Sequence, residues 1–212
     1  MLPGKRHKDY IRSATGSRPL GHQVPAEFVD SRERIAELVD LMCHQETSKG
    51  DPQPRFFIDL EGASLSRNGS ISLLTVLVHR GIRRELCIVD IHGLQSVAFE
   101  TPGSCGKNLK DILESPDMIK VFFDVRNDSD ALYTHYGIQL QGIRDLQLME
   151  NASRRTTYAR RYVSGLSKCV ESLLKDYREI HAWRSQKERG ERLWNPQKGG
   201  TYEAFNTRPL PK

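Results

Sequence analysis

The sequence lacks the features that mark secreted, membrane-spanning and zinc-binding proteins. Its four cysteines are scattered without a Cys-x-x-Cys pair, and its seven histidines show no zinc-ligand spacing. No apolar run reaches membrane-spanning length, and the polar, basic N-terminus does not resemble a secretory signal. These absences predict an intracellular protein of the cytoplasm or nucleus without a membrane partner, with reduced and mostly buried thiols at Cys43, Cys87, Cys105 and Cys169.

The composition is that of one folded domain. A chain of 212 residues can bury a substantial core, and its hydrophobic fraction of 37% stays above the level of disordered chains. The net charge of +5 is weak support for a polyanionic partner, because many proteins of other function are equally basic.

Apolar periodicity divides the chain into an arm and an α/β domain. Residues 1–25 are rich in Lys, Arg, Gly, Ser and Pro and predict a flexible basic arm, which leaves 26–212 for the domain. Three strands joined by short turns predict an antiparallel meander, after which strands alternate with helices. This order predicts a mixed sheet of about five strands flanked by helices on both faces. The predicted strands are 55–61, 71–79, 85–91, 118–123 and 143–145, and the predicted helices are 31–45, 107–114, 127–136, 146–152 and 166–174.

Two carboxylates lie two residues apart at the end of the first predicted strand. Asp59 and Glu61 project to the same face, because strand side chains alternate. Neighbouring charges that lose water repel each other, and a divalent cation with oxygen ligands neutralises such a pair most simply. Arginine, backbone N–H groups or water would satisfy the pair equally well, so the spacing alone leaves both interpretations open.

A second acidic group lies where the fourth predicted strand runs into a helix. Asp124, Asp128 and Asp130 stand near the C-terminal edge of the sheet, where α/β proteins usually place their sites. Acidic residues in a first helical turn also cap N–H groups and complement the helix dipole. We assign that structural role to Asp124 and Asp130.

A basic and aromatic segment follows at residues 154–162, which interleave four arginines with two tyrosines. Arginines bind phosphates and tyrosines stack on unpaired bases, although an ordinary solvated loop has the same composition. The candidate nucleic-acid-binding residues are Arg154, Arg155, Tyr158, Arg160 and Arg161.

The ordered set of motifs resembles the DEDD superfamily of 3′–5′ exonucleases, in the ribonuclease D-like branch and most closely the fungal-type 3′–5′ exonuclease domain proteins. The strand that ends in Asp59-Leu60-Glu61 matches the first motif of that family. The strand at 120–123, followed by Asp128 in the opening turn of a helix, matches the second. Further matches are Asp145-Leu146-Gln147 and residues 199–210.

The resemblance covers roughly residues 30–212 and implies a ribonuclease H-like fold with metal-dependent hydrolysis of nucleic acid from single-stranded 3′ ends. In the family, two divalent ions (Mg²⁺ or Mn²⁺) about 3.5–4 Å apart stabilise the attacking water and the leaving oxygen. Asp59 would bridge both ions, Glu61 would complete the first site and Asp128 would hold the second. These three carboxylates are the candidate catalytic and metal-binding residues.

One family motif is missing from the sequence. The third motif, Tyr-x-x-x-Asp or a His followed by Asp, supplies a fourth carboxylate and the general base, whereas Tyr202 has Asn206 at that spacing. We therefore expect a C-terminally incomplete domain with a loosely held polar tail at 187–212, a partly exposed sheet face near Asp59, and one metal ion or none. The alternative is a non-catalytic nucleic-acid- or protein-binding module on the same fold.

Overall fold

The structure is a computed structural model that describes residues 24–44, 56–80 and 83–210. All but the last two residues of the predicted arm lie outside these ranges. No helix within them is both long and apolar enough to cross a membrane. The strands are β1 Ala26–Val29, β2 Phe56–Glu61, β3 Leu73–Arg80, β4 Arg83–Asp90, β5 Lys120–Phe122 and β6 Ile143–Asp145. The helices are α1 Arg32–Cys43, α2 Ile91–Leu94, α3 Val97–Glu100, α4 Leu109–Glu114, α5 Arg126–Tyr136, α6 Leu146–Ser153, α7 Leu166–Leu173 and α8 Tyr177–Trp194.

Six strands form one mixed sheet in the order β1-β4-β3-β2-β5-β6. Strands β2, β3 and β4 are the predicted antiparallel meander, with Asp59 opposite Thr75 and Thr75 opposite Ile88. Strands β5 and β6 continue the sheet in parallel beyond β2, while β1 pairs in parallel with β4 at the far edge. The α/β class and the mixed sheet are confirmed. The count of about five strands missed β1, whose four residues are too few to show an apolar pattern.

Alternation along β2 separates the core from the opposite sheet face. Phe56, Ile58 and Leu60 are each less than 5% exposed and join one apolar cluster with side chains of α1, α4 and α5. Asp59 and Glu61 turn to the other face. That face is only half-covered, as Phe57 on the same strand illustrates. The expected exposed surface near Asp59 is therefore present.

The C-terminal segment is ordered, contrary to the expectation of a loosely held tail. Helix α8 extends to Trp194, and two short 3₁₀ turns follow. The Ser72 hydroxyl, which is fully buried, donates to Asn206 Oδ1 at 2.6 Å. The Arg208 guanidinium pairs with Asp90 at the end of β4, donating from Nε to Oδ2 at 2.9 Å. These contacts fix the segment against the sheet close to the end of β2.

Two of the four cysteines depart from the sequence-based prediction. Cys43, the last residue of α1, forms a disulfide with Cys105, so these two are not free thiols. Their separation of 62 positions in the sequence hid their proximity, which arises because α1 packs beside the loop before α4. The Asp40 carboxylate accepts from the Cys105 N–H at 3.3 Å and helps to hold that loop. Cys87 and Cys169 are free and buried, as predicted.

Candidate functional site

Three predicted site carboxylates lie near one another where β2 ends against the first turn of α5. Asp59 and Glu61 share a face of β2, and Asp128 lies in the opening turn of α5 with only 6% of its surface exposed. Asp128 Oδ1 accepts the Leu60 N–H at 3.2 Å. Strand β5 pairs with β2 at Phe56 and Phe57 and does not extend to Leu60. The Asp128 carboxylate therefore accepts a β2 N–H that β5 leaves unpaired. The hydrogen bond places Asp128 beside the residues that flank Leu60.

The electrostatics of the site reflect this crowding. Burial, together with the charges of Asp59 and Asp128, raises the pKa of Glu61 to about 7. Burial and the charge of Asp59 raise the pKa of Asp128 to about 7, against the opposing effect of backbone N–H donors. Burial also raises the pKa of Asp59, which the Leu60 N–H partly offsets, although Asp59 is the most solvent-exposed of the three. Within the part of the chain that the structure describes, none of the three carboxylates has an arginine, lysine or histidine as an ion-pair partner.

The donor chemistry of the three carboxylates fits a hard divalent cation. Mg²⁺ and Mn²⁺ take oxygen ligands, and a bound cation would reverse the mutual repulsion that raises these pKa values. Among the residues that the structure describes, however, no group of three or more His, Cys, Asp or Glu side chains stands close enough to hold a metal ion. Binding would therefore require the three side chains to turn toward one another.

The two neighbouring acidic residues have structural partners. Asp124 pairs with Arg126 at 2.6 Å. Asp130 accepts both the backbone N–H of Arg67, at 2.8 Å, and its guanidinium. Each therefore has a structural role, but as an arginine partner rather than as a helix cap. The Asp130–Arg67 contact ties α5 to the connection between β2 and β3.

Asp145 is a residue whose role the sequence reasoning missed. Its carboxylate caps α6 and also reaches the turn between β5 and α5. The sequence signal was present, since an Asp directly before a helix is a common N-cap. The second contact depends on strands β5 and β6 lying side by side, which the sequence does not display.

In the predicted nucleic-acid-binding segment, some side chains are hydrogen-bonded within the fold and others are not. The Arg154 guanidinium makes intramolecular contacts. It pairs with Glu150 and donates to the Ala159 and Tyr162 carbonyls and to Ser164 Oγ. These partners occupy its donors, which disfavours the predicted role of Arg154 as a phosphate ligand. Arg160 donates from Nε to the Arg154 carbonyl at 2.7 Å. Arg155, Tyr158, Arg160 and Arg161 are all exposed.

Comparisons with known proteins give one consistent result. The family described as 3′-5′ exonuclease matches residues 34–198. A sequence comparison with curated proteins gave no match. Trypanosoma brucei RNase D in complex with GMP superposes with a TM-score of 0.67 at 21% identity, covering 89% of this chain and 51% of that one. The same enzyme in complex with RNA U12 gives 0.63 at 21% identity, covering 90% and 56%.

A shorter relative is covered more fully. The Aedes aegypti Nibbler EXO domain superposes with a TM-score of 0.52 at 15% identity, covering 90% of this chain and 80% of that domain. This chain spans about half the length of the RNase D structures, and similarity at these identities establishes the shared ribonuclease H-like fold. Because the family match covers well over half of its residues, the chain belongs to the 3′-5′ exonuclease family.

Proposed function

We propose that this chain is a metal-dependent 3′–5′ exonuclease domain with Asp59, Glu61 and Asp128 as its acidic site. The observation that carries the proposal is the proximity of three carboxylates at the end of β2, two of them with a pKa near 7. A carboxylate with a purely structural role is usually paired with a cationic side chain, as Asp124 and Asp130 are with arginines. Unpaired acidic groups with perturbed pKa values are instead typical of functional sites.

Each residue has a distinct part in this proposal. Asp128 is held by the Leu60 N–H and keeps one oxygen for a ligand. Glu61, with a pKa of about 7, is partly protonated at neutral pH and would release its proton when a cation enters. Asp59, the most exposed, faces the incoming phosphodiester. A bound Mg²⁺ or Mn²⁺ would supply charge stabilisation for the attacking water and the leaving oxygen.

The proposed substrate is the single-stranded 3′ end of a nucleic acid. A ribonuclease D of the same fold has been solved in complex with RNA U12, which supports RNA as the first substrate to test. Arg155 and Arg161 are free to contact phosphates, and Tyr158, 84% exposed, is free to stack on a base. The segment is thus a proposed secondary contact for the strand.

The 212 residues contain no Tyr-x-x-x-Asp motif, so they supply no fourth carboxylate and no water-orienting tyrosine of the family type. Losing both should slow hydrolysis by orders of magnitude relative to relatives that have them. We therefore expect weak activity from the three carboxylates alone and pair every activity assay with a binding assay.

The test compares the wild type with Asp59→Asn on 5′-labelled single-stranded RNA and DNA in Mg²⁺ or Mn²⁺. We expect a ladder shortened from the 3′ end, and a rate at least about 100-fold lower in the variant. Asp117→Asn is the matched control, because it removes one carboxylate charge from an exposed residue near β5.

If the wild-type rate is too low to measure, Mn²⁺ binding is measured by calorimetry and tests the proposed acidic site instead. Binding that Asp59→Asn weakens and Asp117→Asn leaves intact supports the site. Activity that is insensitive to Asp59→Asn would contradict it. A wild type that binds RNA but neither Mn²⁺ nor Mg²⁺ would identify a non-catalytic nucleic-acid-binding module instead.

A further inference from the structure

The turn that delivers Asp128 to the site is held by a carboxylate from a different strand. Asp145, the last residue of β6, accepts the Asp124 N–H with Oδ1 at 3.1 Å and the Val125 N–H with Oδ2 at 3.2 Å. These two amides belong to two of the three residues, Phe123 to Val125, that connect β5 with the first residue of α5. One side chain therefore accepts hydrogen bonds from two successive backbone N–H groups of the turn.

The turn has two unfavourable local features, and the contacts of Asp145 help to offset them alongside the Asp124–Arg126 ion pair. Asp124 has a φ of 63°, a left-handed conformation that costs free energy in a residue with a side chain. Val125 occupies the N-cap position of α5, and its aliphatic side chain has no oxygen with which to cap the helix. Asp128 follows three residues after Val125, so any shift of the turn moves its carboxylate directly.

We propose that Asp145 is a positioning residue for the acidic site, acting on Asp128 through the β5–α5 turn. It fixes where α5 begins, and hence where the Asp128 carboxylate meets the Leu60 N–H. Its consequence for metal binding rests on the proposed function, whereas the mechanical link from Asp145 to Asp128 does not.

Asp145 also performs an ordinary capping role that the test must separate. The same carboxylate accepts the Gln147 N–H at 2.8 Å and the Leu148 N–H at 3.4 Å at the start of α6. Asp176 is a matched control, because it caps α8 by accepting the Arg178 N–H at 2.8 Å and lies far along the chain from the turn. Asp176→Ala should lose the cap of α8 without disturbing α5.

The first experiment needs no metal. Site-resolved amide exchange is measured by NMR in the presence of EDTA for the wild type, Asp145→Ala and Asp176→Ala. We expect the Leu60 N–H to exchange at least about tenfold faster in Asp145→Ala than in the wild type, after normalisation to Val76 in the central strand β3. Asp176→Ala should leave this ratio within about twofold. An unchanged Leu60 ratio in Asp145→Ala would overturn the proposal.

Asp145→Asn keeps the test informative if the alanine variant does not fold. An asparagine retains one oxygen, which can still accept the three amides now bound by Oδ1, and loses only the Val125 contact of Oδ2. Its effect on the Leu60 ratio should have the same direction and a smaller size. Loss of protection at Val125 without any change at Leu60 would show that the turn is not coupled to Asp128.

The second experiment titrates Mg²⁺ alone into the same proteins by calorimetry. Asp145→Ala should weaken Mg²⁺ binding at least about tenfold, Asp145→Asn should fall between, and Asp176→Ala should match the wild type. Equal Mg²⁺ affinity in wild type and Asp145→Ala would refute a role in the metal site. A wild type that binds no Mg²⁺ would contradict the proposed function instead. The Leu60 exchange ratio would still show whether Asp145 positions Asp128.

Discussion

Glu61 and Asp128 hold protons at a pH where carboxyl groups are ordinarily ionised, because each has a pKa of about 7. In the metal-free protein, the folded state keeps protons that the unfolded chain releases between about pH 4 and 7. The free energy of unfolding therefore falls as the pH rises through this window, since the folded state binds more protons than the unfolded state. The site destabilises the fold at neutral pH until a cation binds.

Removing the Asp128 charge should therefore stabilise the metal-free protein. We expect Asp128→Asn to raise the free energy of unfolding by about 1–3 kcal/mol at pH 8 in EDTA, and by little below about pH 4, where this carboxyl is protonated in both the folded and the unfolded state. The asparagine Oδ1 can still accept the Leu60 N–H, so packing is preserved. Urea unfolding at both pH values measures the difference, and a variant less stable at both would contradict the pKa assignment.

Lys120 should produce the opposite pH dependence at alkaline pH. Its side chain is fully buried and donates from Nζ to the Ile112 and Ser115 carbonyls at the end of α4, and burial lowers its pKa to about 8. Between about pH 8 and 10.5 the unfolded state binds the extra proton, so this group makes the protein more stable as the pH rises.

The measurement is the difference in unfolding free energy between wild type and Lys120→Met at pH 7.5 and pH 10. The difference should change by about 1–3 kcal/mol in favour of the wild type at the higher pH. Other groups that titrate there are common to both proteins and cancel. A constant difference would mean that Lys120 stays charged in the folded protein.

Single residues were predictable from sequence only where the partner is local or the spacing is fixed by an element. Strand alternation placed Asp59 and Glu61 on one face, and the distance from β5 placed Asp128 in the first turn of α5. Arg154 was predicted to contact phosphate because the sequence does not show that most of its acceptors lie five to ten residues further on, in a loop that folds back on itself. No sequence pattern predicts that this loop folds back onto the Arg154 side chain.

At the scale of elements, the contact between the C-terminal segment and the sheet depends on one partly buried ion pair. The Asp90 carboxylate is 8% exposed and also caps α2 through the Gly93 N–H. Burial alone would raise the pKa of Asp90, but its bonds to Arg208 and Gly93 bring that pKa below the usual value. Arg208 also lies over the Phe28 ring at 5.8 Å, so it connects β1, β4 and the C-terminal segment.

Breaking this pair should release the segment. Arg208→Met leaves Asp90 buried without its cation, and we expect it to lower the free energy of unfolding by about 2–4 kcal/mol. A double-mutant cycle with Asp90→Asn should give a coupling energy above about 1 kcal/mol. Arg192→Met breaks the exposed pair with Glu188 and is the matched control, with an expected cost below about 1 kcal/mol. Equal losses in the two arginine variants would show that the segment is not anchored by Asp90.

Strand β1 and helix α8 escaped sequence-based prediction for opposite reasons, and the short helices α2 and α3 were not predicted either. Strand β1 is too short to show a period, and its parallel pairing with β4 comes from the tertiary fold. Helix α8 is long but has no buried residue, so its sequence carries no strong apolar stripe and resembles a polar loop. The remaining predicted elements lay within a few residues of their observed bounds, because each has a clear apolar face or strand.

At the scale of the whole molecule, the Cys43–Cys105 disulfide links α1 to the loop before α4 across 62 positions. A cross-link over a loop of this length removes roughly 4 kcal/mol of chain entropy from the unfolded state. We expect dithiothreitol to lower the free energy of unfolding by about 2–4 kcal/mol. The Cys43→Ser/Cys105→Ser variant should match the reduced protein and be insensitive to dithiothreitol.

Thiol counting provides the control for that experiment. The unfolded, unreduced wild type should expose two reactive thiols, Cys87 and Cys169, and the reduced protein four. Four reactive thiols before reduction would show that the disulfide does not form in solution.

The position of β1 in the sheet has a consequence for the order in which the chain can fold. Strands β2, β3 and β4 are sequential neighbours and can pair as soon as they leave the ribosome, whereas β1 pairs with residues 86–89 and must wait some sixty residues for its partner. Until then its segment has no strand beside it, and β4 has an open edge once the meander forms. The newly made chain is therefore most prone to strand-mediated aggregation in the interval between completion of β4 and docking of its own N-terminal strand.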